Sequence, residues 1–210
     1  SAYYDGEITH RYGMGASNGG RHAMVAASRM GDTFDGLLAA YPGFNLPKAG
    51  VQLAWVTQQL LSVSETVPGA FSREEMGTIG AAITEACDGL DGAEDGLVLN
   101  PLACQDTFDP ASVACSDGQN SACVAPEKVE ALATILGGAK NSADEQLASP
   151  FPWDPGIASG NWRFWNLESP VPPWEGQPLG VIIGGGSTAQ VFTTPPTAVG
   201  PTPADLLGYL

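Results

Sequence analysis

The 210-residue sequence predicts an α/β fold, with part of a parallel sheet near its start and an irregular, inserted second domain after it. Three observations carry this reading. Within residues 8–42 an apolar segment, a run of small residues, a helical pattern and a second apolar segment follow one another. That order is a βαβ unit with a right-handed crossover. Glycine and proline number 27 and 17, many of them after residue 135, which makes the C-terminal half loop-rich. Four cysteines crowd into residues 87–123, within the turn-rich sequence that follows the helical segments.

The elements follow in order. Residues 8–14 (ITHRYGM) read as a strand entering a tight turn, and 18–30 (NGGRHAMVAASRM) as a buried helix. The continuous apolar run FDGLLAAYP, 34–42, reads as a fully buried strand. Residues 46–63 and 72–86 read as helices, the second opening at Ser72 with Glu75 three residues on. A domain boundary is expected near residue 86. Beyond it CDGLDGAEDG is acidic and turn-rich, and residues 126–137 give a further helix starting at Pro126. Trp153, Trp162, Trp165 and Trp174 then punctuate a stretch rich in Pro and Gly, and the final DLLGYL reads as cut short.

Charge narrows the partners. Eight basic against 23 acidic residues give a net charge of −15, which repels nucleic acid and anionic membrane surfaces. No run of about 18 apolar residues is present to span a bilayer, and no signal peptide opens the chain. Cys87, Cys104, Cys115 and Cys123 lack the CxxC spacing of a zinc site and have no histidine nearby. Two local disulfides formed in an oxidising compartment are the reading, with the pairing left open.

Residues 15–19, GASNG, match G-x-S-x-G. A nucleophile on a sharp strand-to-helix turn is held in strained backbone geometry, so the residues two positions away must be small. Such a turn exposes the Ser17 hydroxyl and sets the Asn18 N–H at a helix N-terminus, where it can donate to an oxyanion. The alternative is an ordinary βα turn capped by serine. Partners for Ser17 are harder to find. His10 falls in the first strand and His22 on the helix leaving the turn, so core or helix-surface roles suit both better than proton transfer. The acidic turn places Asp88, Asp91 and Asp95 within eight residues among glycines. Spacing leaves two readings open, a Ca²⁺ loop or a solvated turn.

Taken together, GASNGGR, FDGLLAAYPGFNLPKA, CDGLDGAEDG, CQDTFDPASVAC and CVAPEKVEAL resemble the tannase and feruloyl esterase family of secreted α/β-hydrolases. The resemblance covers most of residues 3–135. It implies a partial α/β-hydrolase sheet over residues 1–86 and a lid over 87–210 that covers the site and supplies aromatic contacts. It implies Ser17 as nucleophile and the Asn18 N–H as half of an oxyanion hole. It implies Ca²⁺ held by the Asp88, Asp91 and Asp95 side chains and the Ala93 and Leu97 carbonyls, and bridges Cys87–Cys104 and Cys115–Cys123. The substrate would be a small ester of an aromatic acid, in a secreted or periplasmic setting. The family's catalytic Asp and His are expected downstream of residue 210, its first strands upstream of residue 1, and both as partners of these residues. Ala16 departs from the family, which carries there a Cys that tethers nucleophile to base. That departure, together with the Asp and His expected outside these residues, motivates a second reading, a non-catalytic calcium-stabilised binding module or inactive homologue.

Overall fold

The computed structural model describes residues 3, 6–116, 123–170, 172 and 176–188. The chain divides into two compact units, Ser1–Pro47 and Lys48–Leu210.

The first unit is the expected βαβ turn. Strand β1 (Tyr12–Ala16), helix α1 (Asn18–Arg29) and strand β2 (Gly36–Ala40) follow in order. The strands pair in parallel, from Tyr12 opposite Gly36 to Ala16 opposite Ala40. Below that ladder the Arg11 amide donates to the Asp35 carboxylate at 2.6 Å and the Asp35 amide returns to the Arg11 carbonyl at 2.8 Å. Three expectations need correction. The first strand begins at Tyr12, so His10 precedes it and stands exposed, its ring stacked on Tyr12 at 6.1 Å. The second strand stops at Ala40, so Tyr41 and Pro42 belong to the loop after it. Neither strand is fully buried, and Met14 and Leu38 are 80% and 57% exposed. The described sheet has two strands, and two strands and one helix cannot cover both faces of a sheet. Helix α1 likewise buries only Gly20 and Ala23 and leaves His22 exposed.

The second unit contains the main apolar core. Helix α2 (Leu46–Ser62) leads into it and α3 (Arg73–Cys87) runs through its centre, burying Met76, Ile79, Ile83 and Cys87. The start of α3 carries the expected capping box: the Glu75 amide donates to the Ser72 hydroxyl at 3.1 Å and the Ser72 amide to the Glu75 carboxylate at 2.7 Å. The same carboxylate accepts from Lys128 Nζ at 2.8 Å. Lys128 lies on α5 (Pro126–Leu136), the helix expected from Pro126. Polar side chains stitch the layers. Gln52 is buried and accepts from the Ala139 amide at 2.8 Å, while Arg163 donates to the Phe71 carbonyl at 2.9 Å and to Glu168 at 2.6 Å.

The glycine- and proline-rich half is more helical than its composition predicts. Short helices α4 (Pro101–Thr107), α6 (Gly160–Asn166) and α7 (Leu179–Ser187) punctuate it. Two of them owe their starts to caps, with Asn100 accepting from the Ala103 amide and Ser159 from the Trp162 amide. Both implied disulfides are present, Cys87–Cys104 and Cys115–Cys123. The first joins the end of α3 to α4 with both cysteines fully buried. By compactness, α3 and the acidic turn after it fall in the same unit, Lys48–Leu210. No helix among the described residues is long and apolar enough to cross a membrane.

Candidate active site

Ser17 sits between β1 and α1 with φ 54° and ψ −118°, the mirror image of an extended conformation. Such geometry costs an L-residue on the order of 1–3 kcal/mol, and it persists only where neighbours impose it. The neighbours are visible. The Ser17 amide donates to the Ala40 carbonyl at 3.1 Å, and its carbonyl accepts from the Gly43 amide at 2.9 Å and the Arg21 amide at 3.1 Å. Gly15 lies so close to the returning chain that a Cβ there would sit 2.2 Å from the Gly19 carbonyl oxygen. Gly20 is equally constrained, since its Cβ would meet the Ala40 carbonyl oxygen at 2.6 Å. Sterics therefore demand glycine at 15 and at 20, whereas a Cβ on Gly19, the second glycine of G-x-S-x-G, would meet no atom within 4 Å, so only the first half of that steric expectation is met.

The side chain of Ser17 is exposed and forms no cap with the helix it precedes. An ordinary serine cap would accept from the second or third amide of α1, so the capping alternative does not describe this residue. The first amides of α1, from Asn18 on, have no partner four residues back within the helix. Free amides at a helix N-terminus, together with the helix dipole, favour negative charge there. Neither histidine serves Ser17: His10 bonds the Thr9 hydroxyl at 3.2 Å, and His22 stands on the exposed face of α1.

The acidic loop is ordered by its own carboxylates. Asp88 accepts from the Asp95 and Gly96 amides at 3.2 and 2.9 Å, and Asp91 from the Ala93 and Leu99 amides at 3.1 and 2.8 Å. Asp95 accepts from the Leu97 amide at 3.1 Å. Gly92 and Gly96 turn the loop at φ 96° and 82°. As they stand, the three carboxylates face amides of the loop. Among the described residues no three His, Cys, Asp or Glu side chains form a group that could hold a metal ion.

The tryptophans divide by role. Trp153 is buried and packs against Phe108 at 5.2 Å between ring centroids, which is core structure. Trp162 and Trp165 line a cleft of about 620 Å³ together with Leu53, Val56 and Phe151. Trp174 and the segment DLLGYL lie outside the described residues.

One feature of the serine site escaped the sequence reading. The loop from Tyr41 to Asn45 holds two non-glycine residues at positive φ, Tyr41 at 31° and Asn45 at 49°, and it is tied to Ser17 through Gly43. The dipeptides in Tyr-Pro-Gly signal a turn, which would have ended the strand at Ala40 but gives no hint of the strain.

A family model described as "Tannase and feruloyl esterase" matches residues 1–156. The chain is 35% identical over 191 residues to the mono(2-hydroxyethyl) terephthalate hydrolase of Piscinibacter sakaiensis, covering 80% of this chain and 32% of that protein. Two solved structures share its fold at 20% identity: an esterase from Aspergillus oryzae (TM-score 0.68, 96% of this chain and 38% of that one) and feruloyl esterase B from Aspergillus oryzae (TM-score 0.65, 95% and 37%). The chain spans about a third or less of the length of the curated relatives it matches.

Proposed function

The chain belongs to the tannase and feruloyl esterase family, and from that premise we propose that it carries the nucleophile of a serine carboxylic-ester hydrolase acting on esters of aromatic acids. The observation that supports this most is the backbone of Ser17, held at φ 54° and ψ −118° at the start of α1 with its hydroxyl exposed. Ser17 attacks the ester carbonyl, and the amide of Asn18 donates to the oxyanion that forms. A His outside these residues accepts the hydroxyl proton and returns it to the leaving alcohol, and an Asp orients that His. Water then releases the acyl group. Feruloyl and galloyl esters are the substrate class that the family suggests. Residues 1–86 belong with the catalytic domain in this scheme, and 87–210 form the lid. The two disulfides support a secreted or periplasmic setting.

A fluorophosphonate probe tests the reading directly on the full-length protein. A single covalent adduct on Ser17 is the expected result. Folded protein that takes up no probe would leave the non-catalytic reading, to which Ala16 already points.

Calcium at the acidic loop is part of the same proposal, supported by the spacing of Asp88, Asp91 and Asp95 and by the glycine turns between them. Binding would require the carboxylates to exchange loop amides for the ion. EDTA is expected to lower the melting temperature and added Ca²⁺ to restore it, as mass action requires of an ion that binds only the folded state. An unchanged melting curve under both treatments would make the loop a self-satisfied acidic turn.

A further inference from the structure

Four non-glycine residues among those described have positive φ: Ser17, Tyr41, Asn45 and Asp144. Asn and Asp tolerate that region; a bulky aromatic does not, and a residue that precedes proline is restricted further. Ser17 and Tyr41 are thus the two costly cases, and hydrogen bonds place them side by side. Ala40, the neighbour of Tyr41, accepts from the Ser17 amide, and Gly43 donates to the Ser17 carbonyl. The loop is also pressed onto the start of α1, because a Cβ on Gly20 would lie 2.9 Å from Pro42 Cα and one on Gly43 would lie 3.3 Å from Asn18 Oδ1. Strain of this kind survives where the surroundings over-determine it. The same loop bears two exposed aromatic residues, Tyr41 at 79% and Phe44 at 69% exposure. Exposed rings of this size are costly to leave in water and are suited to stacking on a flat partner.

We propose that Tyr41 and Phe44 form the surface that receives the aromatic ring of the ester's acid, and so set the acyl selectivity of Ser17. The inference rests on the serine-hydrolase reading of the same site. Both residues act by binding the acyl group; neither takes part in bond making. The hydrogen bonds of Ser17 to Ala40 and Gly43 tie the backbone of this loop to that of the nucleophile, so a ring bound on the loop is held close to Ser17.

The test uses the full-length enzyme and two esters with one leaving group, 4-nitrophenyl benzoate and 4-nitrophenyl butyrate. Tyr41→Gly removes the ring and also relieves the positive φ, so it does not threaten folding. Tyr41→Gly and Phe44→Ala are each expected to lower the benzoate-to-butyrate ratio of kcat/KM roughly tenfold, and Tyr41→Phe to leave it unchanged. An unchanged ratio in both ring-deleting variants would overturn the proposal. So would a loss of fluorophosphonate labelling at constant ratio, which would make the loop only a brace for Ser17. If the unaltered enzyme neither takes the probe nor cleaves either ester, the hydrolase reading itself fails and takes this inference with it.

Discussion

Replacing Ser17 by glycine is expected to make the protein more stable and to abolish ester hydrolysis. The two effects have one origin. At φ 54° and ψ −118° Ser17 occupies the mirror image of the extended region, which glycine enters as readily as the extended region itself. Relief of strain on the order of 1–3 kcal/mol outweighs the roughly 0.5–1 kcal/mol of extra chain entropy that glycine brings to the unfolded state. The net gain is about 1 kcal/mol, read as a higher denaturant midpoint at unchanged slope. Ser17→Ala keeps the Cβ and gains nothing. Both variants of the full-length enzyme lose turnover by roughly 10⁴–10⁶-fold, the range seen when a triad nucleophile is deleted. Equal midpoints for the glycine and alanine variants would show that the turn stores no strain. Retained hydrolysis by either would remove Ser17 from the chemistry.

The second large effect concerns the bridge between α3 and α4. Cys87 and Cys104 are 17 residues apart and Cys115 and Cys123 only 8. Loop closure alone separates the two bridges little, at about 3 and 2.5 kcal/mol. Burial separates them more. Cys87 and Cys104 have no exposed surface and belong to the core around Ile83 and Val98, whereas Cys115 and Cys123 are half-buried. Removing the sulfurs of the first pair therefore leaves a void in packed surroundings as well as a freed loop. Cys87→Ala with Cys104→Ala is expected to lower stability by about 4–5 kcal/mol, and the Cys115, Cys123 double variant by about 2 kcal/mol. Chemical denaturation of both, beside the reduced parent protein, checks the ranking. Equal losses would mean that burial of the first bridge contributes nothing.

Much of this architecture was legible in the residues. The apolar spacing and the Ser72–Glu75 pair located α2 and α3, and Pro126 located α5, because each signal acts within one or two turns of chain. The short helices at 101–107, 160–166 and 179–187 carry too few residues for a periodicity, and Asn100 and Ser159 resemble ordinary loop residues until their acceptor geometry is seen. Burial of β2 was misread because a continuous apolar run reports what a strand could cover, and the described sheet stops at two strands. The disulfide pairing followed from the family likeness; spacing alone allows three arrangements of four cysteines. At the serine, Gly20 lies outside the motif, while the equally tight Gly15 was readable because sterics admit nothing larger there. Tyr41 was not, since a tyrosine before proline gives no sign that its backbone will be forced to positive φ.

The Glu75 carboxylate has a further consequence. One side chain both completes the first turn of α3, through the Ser72 amide, and receives Lys128 from a helix more than fifty positions away in sequence. Where α3 begins is thereby linked to whether α5 has docked. Fraying of the first turn releases the lysine, and undocking of α5 loosens the first turn. Local helix nucleation and distant assembly therefore share one switch, so this corner of the molecule should open and close as a single cooperative unit.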